Sequence, residues 1–262
     1  IGEKINDNNN DRKSIDREIT QEALEMVQNG SALSTDAATI VYNPTWNKGV
    51  VGIVASRLVE AFYKPTIVLT KSNGFITGSA RSVAGFDLYE AIESCADLLE
   101  NFGGHVYAAG LTLKEGNLEE FVGRIDKFIA GKITEEMLTP MTDIDAKLEF
   151  SQITPKFFRL LKQFQPFGPG NTNPVFLTEN VSDGGNGRKV GAGGVHMKLD
   201  LIDEKQPFHQ IPAIAFNMAE FYDYIKAGNP FDICYSIVEN YYRGNTTLQL
   251  RIKDIKERDE FI

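Results

Sequence analysis

Residues 101–111 read Asn-Phe-Gly-Gly-His-Val-Tyr-Ala-Ala-Gly-Leu, and they are the most informative stretch of the chain. Because Gly103 and Gly104 carry no Cβ, the backbone there can approach a ligand closely and can adopt positive φ angles. The N–H groups of such a loop form a concavity suited to anions, and His105 adds a hydrogen-bond donor. Taken alone, however, Gly-Gly-His more often marks a glycine that ends a helix. The stretch predicts a phosphate site only with support from the rest of the chain.

The composition is that of a globular protein of one large or two ordinary domains. The 262 residues are 42% hydrophobic and 24% charged. No apolar run approaches the roughly 18 residues that cross a bilayer, so we expect no contact with a membrane. Cys95 and Cys234 are expected to be free thiols of a cytoplasmic protein. The net charge of −9 argues against a generally basic nucleic-acid binder, although it allows a narrow basic track on an acidic body.

Strands alternate with helices in the first half of the chain, which predicts an α/β domain. An Asp87 cap with Glu90 three residues later starts the best-marked helix, whose apolar positions recur up to Phe102. This helix is expected to lead directly into a Gly-Gly-His loop. The other predicted elements are strands at 38–42, 66–70, 75–79 and 111–113, and helices at about 15–27, 49–63 and 118–130.

The pattern changes after Gly131. Residues 131–143 lack a clear period and contain Pro140, so they predict a linker. Short alternating segments follow, interrupted by helical patches near 155–164 and 218–226. Five or six strands of this kind predict a small barrel or sandwich.

A second candidate for phosphate binding precedes the capped helix. In Gly78-Ser79-Ala80-Arg81-Ser82, an arginine fork between two hydroxyls can bind a phosphate with paired hydrogen bonds. The alternative is an Arg81 that pairs with a surface carboxylate. A helix of about 20 Å would separate Arg81 from His105, so the sequence leaves open whether the two residues meet.

Other segments allow two interpretations each. Residues 46–52 contain two glycines at a helix start, which suits either an anion or close packing on the sheet, and Trp46 is expected to be a packing anchor. Residues 164–171 are interpreted as a structural cap of the barrel. The glycine-rich loop that follows either binds nucleic acid or is merely solvated; its basic residues are Arg188, Lys189, His196 and Lys198.

The sequence shows no recognisable metal-binding or nucleophilic motif. The three histidines lack ligand spacing, and Asp143 and Asp145 are expected to lie in a solvated linker. Neither a Ser-His-Asp arrangement nor a Walker phosphate loop occurs. The chain is therefore predicted to hold a phosphate but not to cleave one.

Six segments in this order closely resemble the C-terminal half of the RecJ family of bacterial single-strand-specific 5′→3′ exonucleases. Gly-Gly-His with Ala-Ala-Gly is shared by the wider DHHA1 group of phosphoesterases, whereas Pro-Phe-Gly and the barrel after it narrow the resemblance to RecJ. The segments span nearly the whole chain: Trp46–Leu58, Gly78–Ser82, Phe102–Gly110, Pro166–Asn171, Pro174–Phe176 and His196–Leu199.

The resemblance implies an α+β protein of two domains. Residues 1–36 would be the end of an inter-domain connecting helix, although their Asn-rich start suits a helix poorly. Residues 37–131 would form a DHHA1 domain with a mixed sheet that binds phosphate and nucleic acid. After a linker at 132–139, residues 140–258 would form a five- or six-stranded OB-like β-barrel that binds single strands.

The resemblance also implies roles for individual residues. Arg81 and His105 would act as a phosphate clamp that supports catalysis, and Asn47, which stands where many members carry a histidine, is given no role. Strand binding by the barrel would fall to the four basic residues named above, Arg188, Lys189, His196 and Lys198. The implied substrate-binding residues are Ser79, Arg81, Ser82, Gly103, Gly104 and His105.

Catalysis is expected to depend on a domain that the chain lacks. In the family, the Asp- and His-rich motifs that bind two divalent metals lie in an N-terminal DHH domain, and those motifs are absent here. We therefore expect a fragment that binds no metal and is inactive alone, with Mn²⁺ or Mg²⁺ in the missing domain. The expected partner is single-stranded DNA, and the expected state is a cytoplasmic monomer in DNA repair and recombination.

Two other functions remain open at this stage. A phosphodiesterase of small nucleotides from the DHHA1 group is disfavoured by the barrel-like residues 140–258. A non-catalytic strand-binding module that recruits partners would be favoured if no Asp-His-His motif preceded Ile1 in the parent protein.

Overall fold

The computed structural model describes residues 2–33, 36–168, 170–203 and 206–258. The chain divides into two compact units, Ile1–Pro140 and Met141–Ile262, and each unit has a hydrophobic core of its own. Within the described ranges, no helix is both long and apolar enough to cross a membrane.

The first unit is a five-stranded mixed sheet with helices on both faces. The strand order is β1-β2-β3-β5-β4; β1 and β2 are parallel and the other pairs are antiparallel. The α/β domain with a mixed sheet is therefore confirmed. Its elements are α1 (Gly2–Gln28), β1 (Thr39–Tyr42), α2 (Val51–Phe62), β2 (Thr66–Ser72), β3 (Phe75–Arg81), α3 (Leu88–Glu93), β4 (Leu99–His105), β5 (Ala108–Leu113) and α4 (Leu118–Lys132).

The two faces of this sheet are covered differently. Residues that lie opposite each other on neighbouring strands share a face. One face packs on α3 and α4 through a large core that includes Leu69, Ile76 and Leu111. On the other face, Val41 and Val68 pack under α1 and α2, and among the described residues this cluster takes none from β4 or β5. Half of the second face is consequently open.

Helix α1 is continuous through the Asn-rich start of the chain, from Gly2 to Gln28. Its later turns are fixed to α2 and the loop before it. Arg57 Nη2 lies 2.6 Å from the buried Asp16 carboxylate, and the Trp46 indole N–H donates to Glu22 Oε2 at 2.7 Å. Trp46 is buried and serves as the packing anchor that the sequence predicted.

The predicted helix from Asp87 to Phe102 is wrong beyond its first turns. The Asp87 cap forms, with its carboxylate accepting from the Glu90 N–H, but α3 ends at Glu93. The chain then enters β4, where the pairing shifts between Leu99 and Asn101. Such a β-bulge puts Leu99 and Phe102 on the same face although they are three residues apart. That spacing is helical in appearance, and it is the reason for the error.

The predicted Gly-Gly-His loop is likewise a strand, because Gly103, Gly104 and His105 all belong to the β4–β5 ladder. Gly103 therefore does not end a helix. Because β5 pairs with β3 and β4 pairs with β5, Arg81 and His105 lie in one sheet. They are not separated by a helix of about 20 Å, as the predicted helix would have required.

The second unit is a seven-stranded sheet in the order β6-β7-β11-β12-β10-β9-β8. Strand β7 pairs with both β11 and β9, so five strands pair in a closed circuit, as an OB-like barrel requires, with short strands β6 and β8 outside it. The elements are β6 (Ala146–Lys147), α5 (Pro155–Leu161), β7 (Phe176–Asp183), β8 (Arg188–Val190), β9 (His196–Asp203), β10 (Gln206–Ala215), α6 (Tyr222–Lys226), β11 (Phe231–Tyr242) and β12 (Asn245–Glu257).

A hydrogen-bonded tyrosine lies in the core of this second unit. Tyr235 is fully buried, and its hydroxyl lies 2.8 Å from Thr178 Oγ1, which also donates to the Leu148 carbonyl at 2.8 Å. Burial raises the pKa of Tyr235 to about 12, because a tyrosinate would lose its hydration there.

Candidate functional site

Arg81 and His105 lie in one row across three strands. Each pairs with Ala108, Arg81 from β3 and His105 from β4. Two strand spacings separate their backbones, about 10 Å, and their side chains share the face of the sheet that α1 and α2 leave open. The structure thus brings together the two residues that the sequence singled out separately.

The next row of the sheet forms a floor without side chains. Gly103 pairs with Gly110, which in turn pairs with Ser79. Gly103 and Gly110 are both exposed, and a Cβ at Gly103 would meet nothing within 4 Å. We call Ser79, Arg81, Gly103, Gly110 and His105 the clamp face. Its floor leaves room for a ligand to lie directly on the backbone.

The Arg81 guanidinium is fixed by one of its nitrogens only. Nη1 donates to Ser79 Oγ and to the Ala80 carbonyl, both at 2.8 Å, and these bonds use both of its hydrogens. Within the described part of the chain, no carboxylate forms an ion pair with Arg81, and burial alone lowers its pKa. The Nε and Nη2 edge therefore remains available for paired hydrogen bonds to an oxyanion.

Helix α2 approaches this guanidinium closely. A Cβ at Gly52 would lie 3.1 Å from Arg81 Nη2 and 3.3 Å from Ser79 Oγ, so the glycine is needed for close packing. Of the two interpretations of residues 46–52, this contact supports the packing role. Before the helix, the Gly49 N–H donates to Asn47 Oδ1 at 2.8 Å, which shows that Asn47 shapes the loop.

His105 is held in one orientation by the hairpin that follows it. The Tyr107 N–H donates to His105 Nδ1 at 3.3 Å. Because Nδ1 accepts, the proton of the neutral ring is on Nε2, which can donate to a ligand. Ser82 is engaged differently, since its N–H donates to the Tyr107 carbonyl at 3.0 Å and its hydroxyl to the Phe86 carbonyl at 2.7 Å.

Gly104 has a structural part beside the clamp face. It pairs with Ala109, and a Cβ there would lie 2.3 Å from the Ala108 carbonyl oxygen and 2.5 Å from the Ala109 Cα. Only glycine allows the two strands to approach this closely. Of the two adjacent glycines, Gly103 leaves the floor of the clamp face uncovered and Gly104 allows the two strands of the hairpin to pack closely.

In the second unit, the predicted basic residues divide into two groups. Arg188 pairs with Lys198, and both are exposed on the outer face of the sheet. His196 shares that face and accepts the Asn217 N–H on Nδ1 at 3.0 Å. Lys189 has the opposite parity, and its ammonium lies 5.0 Å from the centre of the Tyr222 ring. Lys189 therefore does not lie on the face of the sheet that Arg188, Lys198 and His196 share.

Two further residues on this face were missed by the sequence analysis. Lys198 pairs with Ile214, and Ile214 pairs with Arg251, so the row continues to a third cation. The Arg251 guanidinium lies 5.3 Å from the centre of the Phe216 ring, which is 43% exposed and contacts the His196 ring edge-on at 5.2 Å. We call Arg188, Lys198, Arg251, His196 and Phe216 the barrel face.

The segment at residues 164–171 is held together mainly by one amide. Asn171 Nδ2 donates to the carbonyls of Phe164 and Pro166 at 2.7 and 3.0 Å, and Gly168 and Asn171 exchange backbone hydrogen bonds. Pro169 lies outside the described residues. These bonds within the segment agree with a structural role.

No metal centre is evident in the ranges that the structure describes, where no group of three or more His, Cys, Asp or Glu side chains could hold an ion. In particular, Asp145 is engaged structurally, since Oδ2 accepts the Val175 N–H at 2.8 Å. The side chains that the structure describes do not supply the donor set that Mn²⁺ or Mg²⁺ requires.

Comparison with known protein families agrees with these two units. Residues 35–131 match the DHHA1 domain, and residues 144–254 match the RecJ OB domain. The chain is therefore of the class of proteins in which a DHHA1 domain is followed by a RecJ OB domain. The chain belongs to the RecJ family and corresponds to the C-terminal part of its members.

Named relatives cover almost the whole chain. The chain is 35% identical over 258 residues to the single-stranded-DNA-specific exonuclease RecJ of Bacillus subtilis. The aligned residues make up 97% of this chain and 32% of the B. subtilis protein. For RecJ of Haemophilus influenzae the identity is 30%, over 96% of the chain and 44% of the relative. The chain thus spans less than half the length of these relatives.

Solved structures share the fold. RecJ from Thermus thermophilus has been crystallised in complex with Mg²⁺ and with Mn²⁺. The superpositions give TM-scores of 0.71 and 0.73 at 24% identity, over 96% of this chain and 36% and 35% of those chains.

Proposed function

We propose that this chain is the substrate-binding part of a metal-dependent 5′→3′ single-stranded-DNA exonuclease of DNA repair and recombination. The observation that carries the proposal is the clamp face: Arg81, whose guanidinium is held by hydrogen bonds of Nη1, lies on the same face of the sheet as His105, beside a floor of paired glycines. A guanidinium fork, an imidazole donor and bare backbone together suit a phosphodiester.

The clamp face would hold a backbone phosphate in two ways. Arg81 contributes a charge that is already partly desolvated, so an anion gains more from it than from a fully hydrated cation. His105 donates from Nε2, the nitrogen that its contact with the Tyr107 N–H leaves protonated. Ser79 would help to position the Arg81 guanidinium, from which its hydroxyl accepts a hydrogen bond. Ser82 would contribute indirectly, because its N–H donates to the Tyr107 carbonyl and so connects the β4–β5 hairpin to the end of β3.

The barrel face would bind the strand over a longer distance. Three cations in one row suit the phosphates of a single strand, and Phe216 and His196 provide rings for stacking on bases. The overall charge of −9 does not oppose this, because bulk charge does not set the charge of one groove, and three cations lie in a single row on this face. Binding by such contacts depends strongly on salt.

Hydrolysis itself is assigned to divalent ions bound outside this chain. Mn²⁺ or Mg²⁺ in a DHH domain of the longer protein would supply the activated water and stabilise the leaving oxygen. This chain orients the phosphate with Arg81 and His105 and retains the strand. We further propose that it acts as a monomer in the cytoplasm and that alone it is inactive.

The experiment that tests this proposal compares degradation and binding of the same labelled single strand with Mn²⁺ present. The 262-residue chain is expected to bind the strand and leave it intact, whereas a protein that also contains the DHH domain degrades it. Degradation by the chain alone, lost in Arg81→Ala, would refute the assignment of hydrolysis to another domain.

A further inference from the structure

The tip of the β4–β5 hairpin carries an exposed aromatic ring that the clamp does not use. Only Val106 and Tyr107 connect His105 to Ala108, its partner in the ladder. Tyr107 is 59% exposed and Val106 is 40% exposed. Single exposed apolar residues are common on protein surfaces, so exposure alone gives Tyr107 no role. What distinguishes Tyr107 is the way its backbone is fixed and its position beside the clamp face.

Backbone hydrogen bonds fix the tip at three points. The Ser82 N–H donates to the Tyr107 carbonyl at 3.0 Å, and the Leu88 N–H donates to the Val106 carbonyl at 3.1 Å. The Tyr107 N–H donates to His105 Nδ1. The hairpin tip is therefore attached to the chain on both sides of the loop between β3 and α3, and the tyrosine ring projects from a fixed backbone.

The ring also borders the clamp face directly. The Tyr107 and His105 ring centres are 6.3 Å apart with an interplanar angle of 71°, an edge-to-face arrangement that aromatic rings favour. Despite this contact, Tyr107 remains 59% exposed. Tyrosine has only two side-chain torsions to restrict, so an exposed ring of this kind binds a flat partner at low entropic cost.

We propose that Tyr107 stacks on a nucleobase of the strand whose phosphate Arg81 and His105 hold. This inference rests on the proposed function. The clamp contacts only the backbone of the strand, whereas a ring next to it would engage the base attached to that backbone. Because every base has a π face, the contact adds affinity without sequence preference.

The test is a double-mutant cycle in protein and ligand. Affinity is measured for a short oligothymidylate and for a base-free deoxyribose-phosphate chain of the same length, with wild type and Tyr107→Ala at one salt concentration. Tyr107→Ala is expected to weaken oligothymidylate binding by about 5- to 150-fold, the range for one stacked base. Binding of the base-free chain is expected to be unchanged. Tyr107→Phe and Tyr107→Trp should retain the wild-type affinity for both.

Arg81→Ala separates failure of this inference from failure of the proposed function. If Arg81→Ala weakens binding of both ligands and Tyr107→Ala weakens neither, or weakens both equally, the stacking role is wrong while the clamp stands. If Arg81→Ala weakens neither ligand, the proposed function itself is wrong. Because Tyr107 is exposed, we expect Tyr107→Ala to fold as the wild type does. Thermal unfolding curves of the two proteins check this.

Discussion

Gly103 and Gly104 are neighbours in β4, yet their missing side chains serve opposite purposes. A Cβ at Gly103 would extend into open space above the clamp face, whereas a Cβ at Gly104 would lie 2.3 Å from the Ala108 carbonyl oxygen. The same dipeptide therefore leaves the clamp face uncovered at one position and allows close packing of the hairpin at the next. This difference makes the two positions a matched pair for mutagenesis.

Gly103→Ala and Gly104→Ala are expected to act on different properties. Gly103→Ala should leave the free energy of unfolding within about 1 kcal/mol of wild type and weaken oligonucleotide binding, because the new methyl occupies the floor. Gly104→Ala should destabilise the protein by about 1–3 kcal/mol, the usual cost of overpacking. Urea denaturation and anisotropy titrations measure the two effects. Equal effects of both variants on stability would contradict this account of the two glycines.

Arg81→Ala is expected to weaken single-strand binding by about 10- to 150-fold, which corresponds to the loss of a charged hydrogen-bonded contact of roughly 1.5–3 kcal/mol. Arg81→Lys should recover only part of this, because an ammonium lacks the fork. Titration of a labelled strand provides the measurement. The control is Arg124→Ala, which removes a half-buried arginine of α4 that pairs with Asp97 and with Glu120 and should leave affinity unchanged. An equal loss in both would show a general effect of charge.

On the barrel face, Arg251→Ala is expected to reduce the slope of log affinity against log salt by about one ion. Phe216→Ala should weaken binding by about 1–3 kcal/mol, as expected for a lost stacking contact. Titrations at several salt concentrations measure both effects. Lys147→Ala is the matched control, because Glu179 lies 2.8 Å from that ammonium and neutralises it. An unchanged slope in Arg251→Ala would remove Arg251 from the interface.

Alkaline pH is expected to destabilise the second unit through Tyr235. Its pKa is raised from 10.0 to about 12 in the folded chain, so at intermediate pH the unfolded state loses a proton that the folded state retains. Stability therefore falls as pH rises between these values, by roughly 1.4 kcal/mol per pH unit. Tyr235→Phe lacks this contribution. Denaturation of both proteins below and above about pH 10, the usual tyrosine pKa, should show the wild type losing more stability; parallel curves would contradict the effect.

The sequence predicted much of the first unit because its signals are local. The Asp87 cap with Glu90 and the successive strands predicted at 66–70 and 75–79 depend on residues close to each other in the chain. The bulge at Leu99 to Asn101 has no such signal, since it removes the alternation that identifies a strand. For this reason β4 resembled a continuation of α3.

The candidate sites were predictable only in part. Arg81 and the Gly-Gly-His stretch were found by residue type, but their shared partner Ala108 follows from the ladder and not from any spacing. Arg251 joins the barrel face because β10 and β12 are parallel neighbours although they are separated along the chain. Long-range pairings of this kind carry no local sequence pattern.

The central claim, that the clamp face holds a strand phosphate, is tested most directly by an NMR titration of the isotope-labelled chain with a short oligothymidylate. The account predicts shifts of the Gly103, His105 and Gly110 amides and of the Arg81 Nε–H, and it predicts that the three amide shifts are lost in Arg81→Ala. Binding that shifts resonances of the second unit alone and leaves these four groups unperturbed would contradict it.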